Sequence, residues 1–154
     1  MLVVQKLLRN NEENKVFNQP MFKKRKYSVS NKYPQLNVLG GPLTTCSQDP
    51  MTGFFRTGCC EADDRDYGKH FVCARMTHRF LEFSKFKGND LTTPRPEFNF
   101  PGLREGDKWC LCADRWLEAF DAGLAPEVVL EATNQKVLTT IDLSSLKKHA
   151  VDIN

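Results

Sequence analysis

The sequence predicts an α+β fold, a two-layer sandwich with helices packed on one face of a mixed or antiparallel sheet. Three observations carry this expectation. Short apolar runs of strand length alternate with stretches of helical period. The order reads strand, helix, strand, helix, strand, strand, helix, and the two consecutive strands near the end form a hairpin rather than a parallel crossover. The chain of 154 residues, 40% hydrophobic with eleven Phe and two Trp, is long enough to bury one core.

Each element has a local cause. Residues 70–76, from His70 to Met76, form an apolar run of strand length that is expected to be buried on both faces. Thr77 is a good N-cap, and Met76, Phe80, Leu81, Phe83 and Phe86 make a broad apolar stripe on the helix it starts, so all its aromatics are expected in the core. Gly88 and Asn89 end that helix. Residues 108–113 read as a second strand. Asp114 caps a helix with Ala113, Trp116, Leu117 and Phe120 on one side, and Gly123 stops it. Residues 127–131 and 136–141 read as strands joined by a turn at Asn134. A short helix from Ser144 closes the chain, with Leu146 and Ala150 inward.

Two long loops separate these elements. Residues 40–69 are rich in Gly, Pro and Cys and lack periodicity, and residues 89–108 hold Pro94, Pro96, Pro101, Gly102 and Gly106. Loops this long are uncommon in compact domains, and functional loops are over-represented among them.

The expected organisation is a leader over 1–36, one domain over 37–152 and a tail of residues 153–154. Residues 1–27 hold seven basic residues against two acidic ones, so the remainder carries fifteen against seventeen. The positive charge therefore belongs to the leader, which argues against a nucleic-acid-binding domain. The leader reads as a solvated, disordered extension. Its Arg25-Lys26-Tyr27-Ser28 run resembles a transit-peptide cleavage site, although Glu12 and Glu13 are atypical of one. No apolar run approaches the ~20 residues that span a bilayer. A soluble chain without membrane partners is expected, in the cytoplasm or, if residues 1–27 are a transit peptide, in the mitochondrial matrix or another organelle.

A family resemblance runs through the same segments. It rests on Asn37-Val38-Leu39-Gly40-Gly41-Pro42-Leu43, Asp49-Pro50-Met51-Thr52-Gly53-Phe54 and Gly58-Cys59-Cys60. It continues through Val72-Cys73-Ala74-Arg75-Met76-Thr77, Gly88-Asn89-Asp90-Leu91-Thr92-Thr93-Pro94 and Phe100-Pro101-Gly102-Leu103. It closes on Gly106-Asp107-Lys108-Trp109-Cys110-Leu111-Cys112-Ala113, Arg115-Trp116 and Val129-Leu130-Glu131-Ala132-Thr133. These segments resemble the family termed domain of unknown function 2237, found mainly in bacteria. The resemblance covers about 37–152 and implies a compact α+β fold. It brings no activity, cofactor or catalytic residue with it.

Chemistry is concentrated in six cysteines. Cys73, mid-strand between Val72 and Ala74, reads as a small buried hydrophobe. Cys46, Cys59, Cys60, Cys110 and Cys112 are metal-ligand candidates, with zinc the natural ion for thiolates. Cys110 and Cys112 lie two apart on a predicted strand and would share a face. His70 and His78 are further ligand candidates, each equally readable as a surface or satisfied histidine. No paired C-x-x-C spacing is present.

Thiol catalysis or redox chemistry is the alternative, with Cys112 favoured by the helix start and Arg115 beside it, then Cys59 or Cys60. An intracellular setting argues against disulfides. The polar residues Asn89, Asp90, Arg95, Arg104 and Asp107 could line a small-ligand pocket beside Trp109, or could simply hold turns. No phosphate loop, dinucleotide fingerprint, nucleophile elbow or Ser/His triad is visible. The expected function is a small binding domain whose Cys-rich loops hold a metal or ligand. A thiol-dependent enzyme or redox protein is the runner-up. A structural or partner-binding domain with buried thiols is the third reading.

Overall fold

A computed structural model describes residues 34–153. The leader charges and the Arg25-Lys26-Tyr27-Ser28 motif lie outside the described residues. The fold is α+β, with three α-helices and a three-stranded antiparallel sheet among the described residues. Strands β1 (Val72–Arg75), β2 (Lys108–Leu111) and β3 (Glu127–Val128) lie in the order β2-β1-β3, so β2 is an edge. The β1–β2 register pairs Val72 with Leu111, Cys73 with Cys110, Ala74 with Trp109 and Arg75 with Lys108.

Helix α1 (His78–Phe86) starts where expected, because the Thr77 hydroxyl accepts from the Phe80 N–H at 3.1 Å. Gly88, at φ 85°, takes the left-handed position that ends it. Helix α2 spans Ala113–Asp121 and stops before Gly123, at φ 71°. Helix α3 spans Leu143–Lys147, with Asp142 as its N-cap residue. Leu146 is buried on it.

The alternation of side chains along β1 and β2 divides the interior. Val72, Ala74, Trp109 and Leu111 belong to the main core, with Phe80 and Leu81 of α1 and Trp116 of α2. The Trp116 indole N–H donates to the Pro126 carbonyl at 3.1 Å, and its ring stacks on Phe120. The intervening residues, Cys73 and Cys110, join Cys46, Cys60 and Ala132 in a second cluster.

Several elements differ from the expectation. Residues 136–141 are not a strand; Gln135–Thr139 is a 3₁₀ helix. The Asn134 side chain accepts from the Lys136 N–H and its carbonyl from the Val137 N–H, so local bonding overrides the β-branched composition. The predicted strand 127–131 stops at Val128 and continues as a 3₁₀ turn, Leu130–Ala132. The Asp152 carboxylate accepts from the Leu130 and Glu131 N–H groups, taking donors a longer ladder would need. No terminal hairpin results; the sheet is antiparallel, one of the two arrangements expected. Cys112, not Asp114, occupies the N-cap of α2, and β2 ends before it. Phe86 is not core: it is 86% exposed, past the buried side of α1.

Candidate functional site

The loop 43–69 contains no helix or named strand and is held by bonds to its surroundings. Glu131 accepts from the Thr44 N–H, and Gly58 accepts from those of Cys46 and Ser47. The Asn134 amide donates to the Cys60 carbonyl at 3.1 Å. These contacts bring Cys46 and Cys60 against the sheet face that presents Cys73 and Cys110.

Two disulfides form there. Cys46 bonds Cys73 with Cα atoms 5.7 Å apart, and Cys60 bonds Cys110 with Cα atoms 5.3 Å apart. Both separations suit a bridge. All four residues are buried, the most exposed at 1%. The expectation that Cys73 is a free core thiol, and that disulfides are disfavoured, is thereby corrected. The reason is tertiary: one loop returns to both strands, with Cys46 lying 27 residues before Cys73 and Cys60 lying 50 before Cys110.

The strand side of the site is built around a non-hydrogen-bonded pair. The Cys110 N–H points off the sheet edge and is accepted by Thr52 Oγ1 at 2.8 Å. The Cys73 N–H is accepted by Thr133 Oγ1 at 3.1 Å. In such a pair the cross-strand side chains come closest. The two hydroxyls, both fully buried, leave neither amide unsatisfied.

The two disulfides also touch. The sulfurs of Cys46, Cys60 and Cys110 all lie within 4.8 Å of one another, so a single ion could contact all three. Of the five metal-ligand candidates, the fold thus assembles Cys46, Cys60 and Cys110 and adds Cys73 through its bond to Cys46. Cys59 and Cys112 stand outside the group, and neither is in a disulfide. Cys112 does not share a face with Cys110. It packs in the main core, and its thiol donates to the Gly68 carbonyl at 2.7 Å. Cys59 is half-buried, with its sulfur 3.8 Å from Thr45 Oγ1.

Neither histidine joins the sulfurs. His70 Nδ1 lies 2.7 Å from Asp66 Oδ1, both side chains being buried, while His78 sits exposed beside Glu82 on α1. The polar-loop residues are placed mainly by their own turns. Partial burial pushes the Asp90 carboxyl up, but hydrogen bonds from the Thr93 and Thr92 hydroxyls and amides outweigh it and hold it well below the usual range. Asp107 accepts from the Arg104 N–H at 2.8 Å. Asn89 is buried, and its carbonyl accepts from Ser84 Oγ. Arg95 precedes a 3₁₀ turn, Pro96–Phe98, and its backbone pairs with Phe100. Trp109 is buried edge-on to Phe100, with the Arg56 guanidinium 4.9 Å from its ring centroid. Sequence reasoning missed Thr52, Thr133 and Asn134, whose roles depend on partners far along the chain. It also missed Arg56, whose only local signal is its position between Gly53 and Gly58.

Among the described residues, no helix is long and apolar enough to cross a membrane. Residues 36–150 match the model of a family described as an uncharacterized protein conserved in bacteria (DUF2237), and the chain belongs to that family. No curated protein matches the chain.

Proposed function

We propose that this is a small binding domain whose four-cysteine cluster holds one zinc ion when its thiols are reduced and closes into two disulfides when oxidised. The observation that carries this reading is the mutual 4.8 Å approach of sulfurs from two different disulfides. Zinc–sulfur bonds of about 2.3 Å in a tetrahedron put the sulfurs about 3.8 Å apart. The required adjustment is therefore small once the two S–S bonds are opened. Two ligands would come from adjacent strands and two from the loop, and a closed four-sulfur shell is structural rather than catalytic. Opening both bonds takes four electrons and four protons from two equivalents of an external dithiol, each of which becomes a disulfide, and zinc binding then releases the four thiol protons. The redox poise of the compartment selects the state. Persistent disulfides fit an oxidising one, and the zinc form fits the cytoplasm or the mitochondrial matrix.

Native mass spectrometry of the air-oxidised protein and of anaerobically reduced protein with stoichiometric zinc tests this. The expected result is no metal in the first and one zinc per chain in the second. A reduced protein that takes up no zinc overturns the reading and leaves the disulfides as structural staples.

A thiol-dependent activity is the second reading, supported by the half-buried free thiol of Cys59. It predicts that Cys59 is alkylated by iodoacetamide much faster than Cys112 at neutral pH. Equally slow labelling of both in the native protein sinks it.

A further inference from the structure

The segment Thr52-Gly53-Phe54-Phe55-Arg56-Thr57-Gly58 folds into a tight loop around the sheet edge at β2. Gly53 accepts from the Arg56 N–H at 3.0 Å, and Thr52 accepts from the Gly58 N–H at 2.9 Å. Gly53, at φ 98°, presses so closely on the Cys59 backbone that a Cβ would lie 2.4 Å from its carbonyl oxygen. The loop therefore has a defined shape, anchored on one side by the Thr52–Cys110 bond.

Within it Arg56 adopts φ 55°, a left-handed conformation that is strained for a non-glycine residue. The guanidinium lies over Trp109. Its Nη2 is buried and has no hydrogen-bond partner among the described residues. Burial pushes the guanidinium down from its ordinary value, yet arginine stays charged in proteins.

No acid among the described residues supplies the missing acceptor. Glu61 accepts from Thr57 Oγ1, Asp63 pairs with Arg65, and Asp66 pairs with His70. The ring of Trp109 offsets part of the desolvation through a cation–π contact. It does not accept an N–H bond in the guanidinium plane. A strained backbone thus holds a cation inward, with one buried donor open. Nη2 is closed off from solvent while Arg56 as a whole is half-buried, so an acceptor reaches that donor only when the guanidinium shifts.

We propose that Arg56 and Trp109 form a binding site for a small oxyanion, which accepts a charge-assisted hydrogen bond from Arg56 Nη2. The shared chemistry is a compact, singly or doubly charged oxygen acceptor. A carboxylate and an inorganic phosphate are its two sources. The site is separate from the sulfur cluster, and its test does not depend on metal.

The experiment titrates the oxidised, full-length protein with sodium acetate and with sodium phosphate at constant ionic strength, with sodium chloride as the balance. Chemical shifts of the Trp109 indole and of the Arg56 backbone and side-chain nitrogens are followed by NMR. The expected result is a saturable shift at both residues for one of the two oxyanions, which identifies the source. Arg56→Gln is expected to weaken that binding at least tenfold, and Arg56→Lys to retain part of it. Linear shifts for both salts, or shifts centred elsewhere, overturn the proposal on the wild-type protein alone. An unchanged dissociation constant in folded Arg56→Gln overturns it as well.

Discussion

Cys73 and Cys110 face each other directly across β1 and β2, yet each is bonded to a loop cysteine instead of to the other. The sheet therefore acts as a platform with two anchor points side by side. The loop that carries Cys46 and Cys60 is fastened to both. This makes the longest irregular stretch of the described chain a fixed part of the interior.

The two fastenings should differ in strength. Cys60–Cys110 closes a separation of 50 residues and Cys46–Cys73 one of 27. Chain entropy then assigns about 4 kcal/mol to the first and about 3.5 kcal/mol to the second. Urea denaturation of the oxidised protein should show Cys60→Ala/Cys110→Ala losing slightly more stability than Cys46→Ala/Cys73→Ala. The quadruple variant should lose more than the sum, because the two loops overlap and each bridge closes a shorter effective loop while the other is in place. Strict additivity would show that the two bridges act independently.

Asn37 offers a second test, because its amide is fully used. Nδ2 donates to the Pro42 and Glu131 carbonyls, and Oδ1 accepts from the Leu39 and Gly41 N–H groups. Asn37 is 4% exposed, so water cannot easily replace these bonds. Asn37→Asp keeps the shape but aims a carboxylate oxygen at two carbonyls. It should cost about 3 kcal/mol at neutral pH, more than Asn37→Ala at about 2 kcal/mol. The order in thermal or chemical unfolding is the readout, and a milder effect for Asp contradicts the assignment.

How much of this could be read from sequence depended on the range of the cause. Thr77 as a cap, Gly88 and Gly123 as stops, and the core positions Phe80 and Trp116 rest on neighbours within a turn or two, and they were legible. The segment after Asn134 was misread, because a side chain that captures the Lys136 amide outweighs the propensity of Val137, Thr139 and Ile141. For the site, the cysteines could be singled out but not paired. Cys46 meets Cys73 only because Thr52, Gly58 and Asn134 fold the loop back, and no local pattern encodes that return. Cys112 illustrates the opposite error. A strand that ends two residues earlier than expected turns it from a neighbour of Cys110 into the N-cap of α2, packed in the main core.

Asp90 gives a pH signature. Four hydrogen bonds from Thr92 and Thr93 hold its carboxyl below the ordinary value of 3.8 despite the opposing effect of burial. A carboxyl with a depressed folded pKa stabilises the fold above its unfolded pKa, and that contribution fades as pH falls through the folded value. Asp90→Asn should therefore cost about 1 kcal/mol at neutral pH, reduced by the partial exposure of the site. The gap to wild type should stay constant down to about pH 5 and shrink below about pH 4. A gap that does not change with pH would mean that the charge on Asp90 has no part in holding the turn.

Gly102 and Gly123 separate backbone strain from steric exclusion. Both lie in the left-handed region, at φ 76° and φ 71°. A Cβ on Gly123 would meet nothing within 4 Å, whereas one on Gly102 would lie 2.3 Å from the Thr92 carbonyl oxygen and 3.2 Å from the Pro94 nitrogen. Those neighbours are backbone and cannot swing aside. They belong to the turn that Asp90 holds, and the Leu103 N–H donates to the Leu91 carbonyl at 2.7 Å beside them. Gly123→Ala should cost about 1 kcal/mol, the conformational term alone. Gly102→Ala must also push two chain segments apart and should cost about 3 kcal/mol or more. Equal losses in urea unfolding would mean that the 91–94 segment moves away from Gly102 without penalty. In that case the second long loop is not the rigid wall beside Phe100 and Trp109 that its hydrogen bonds describe.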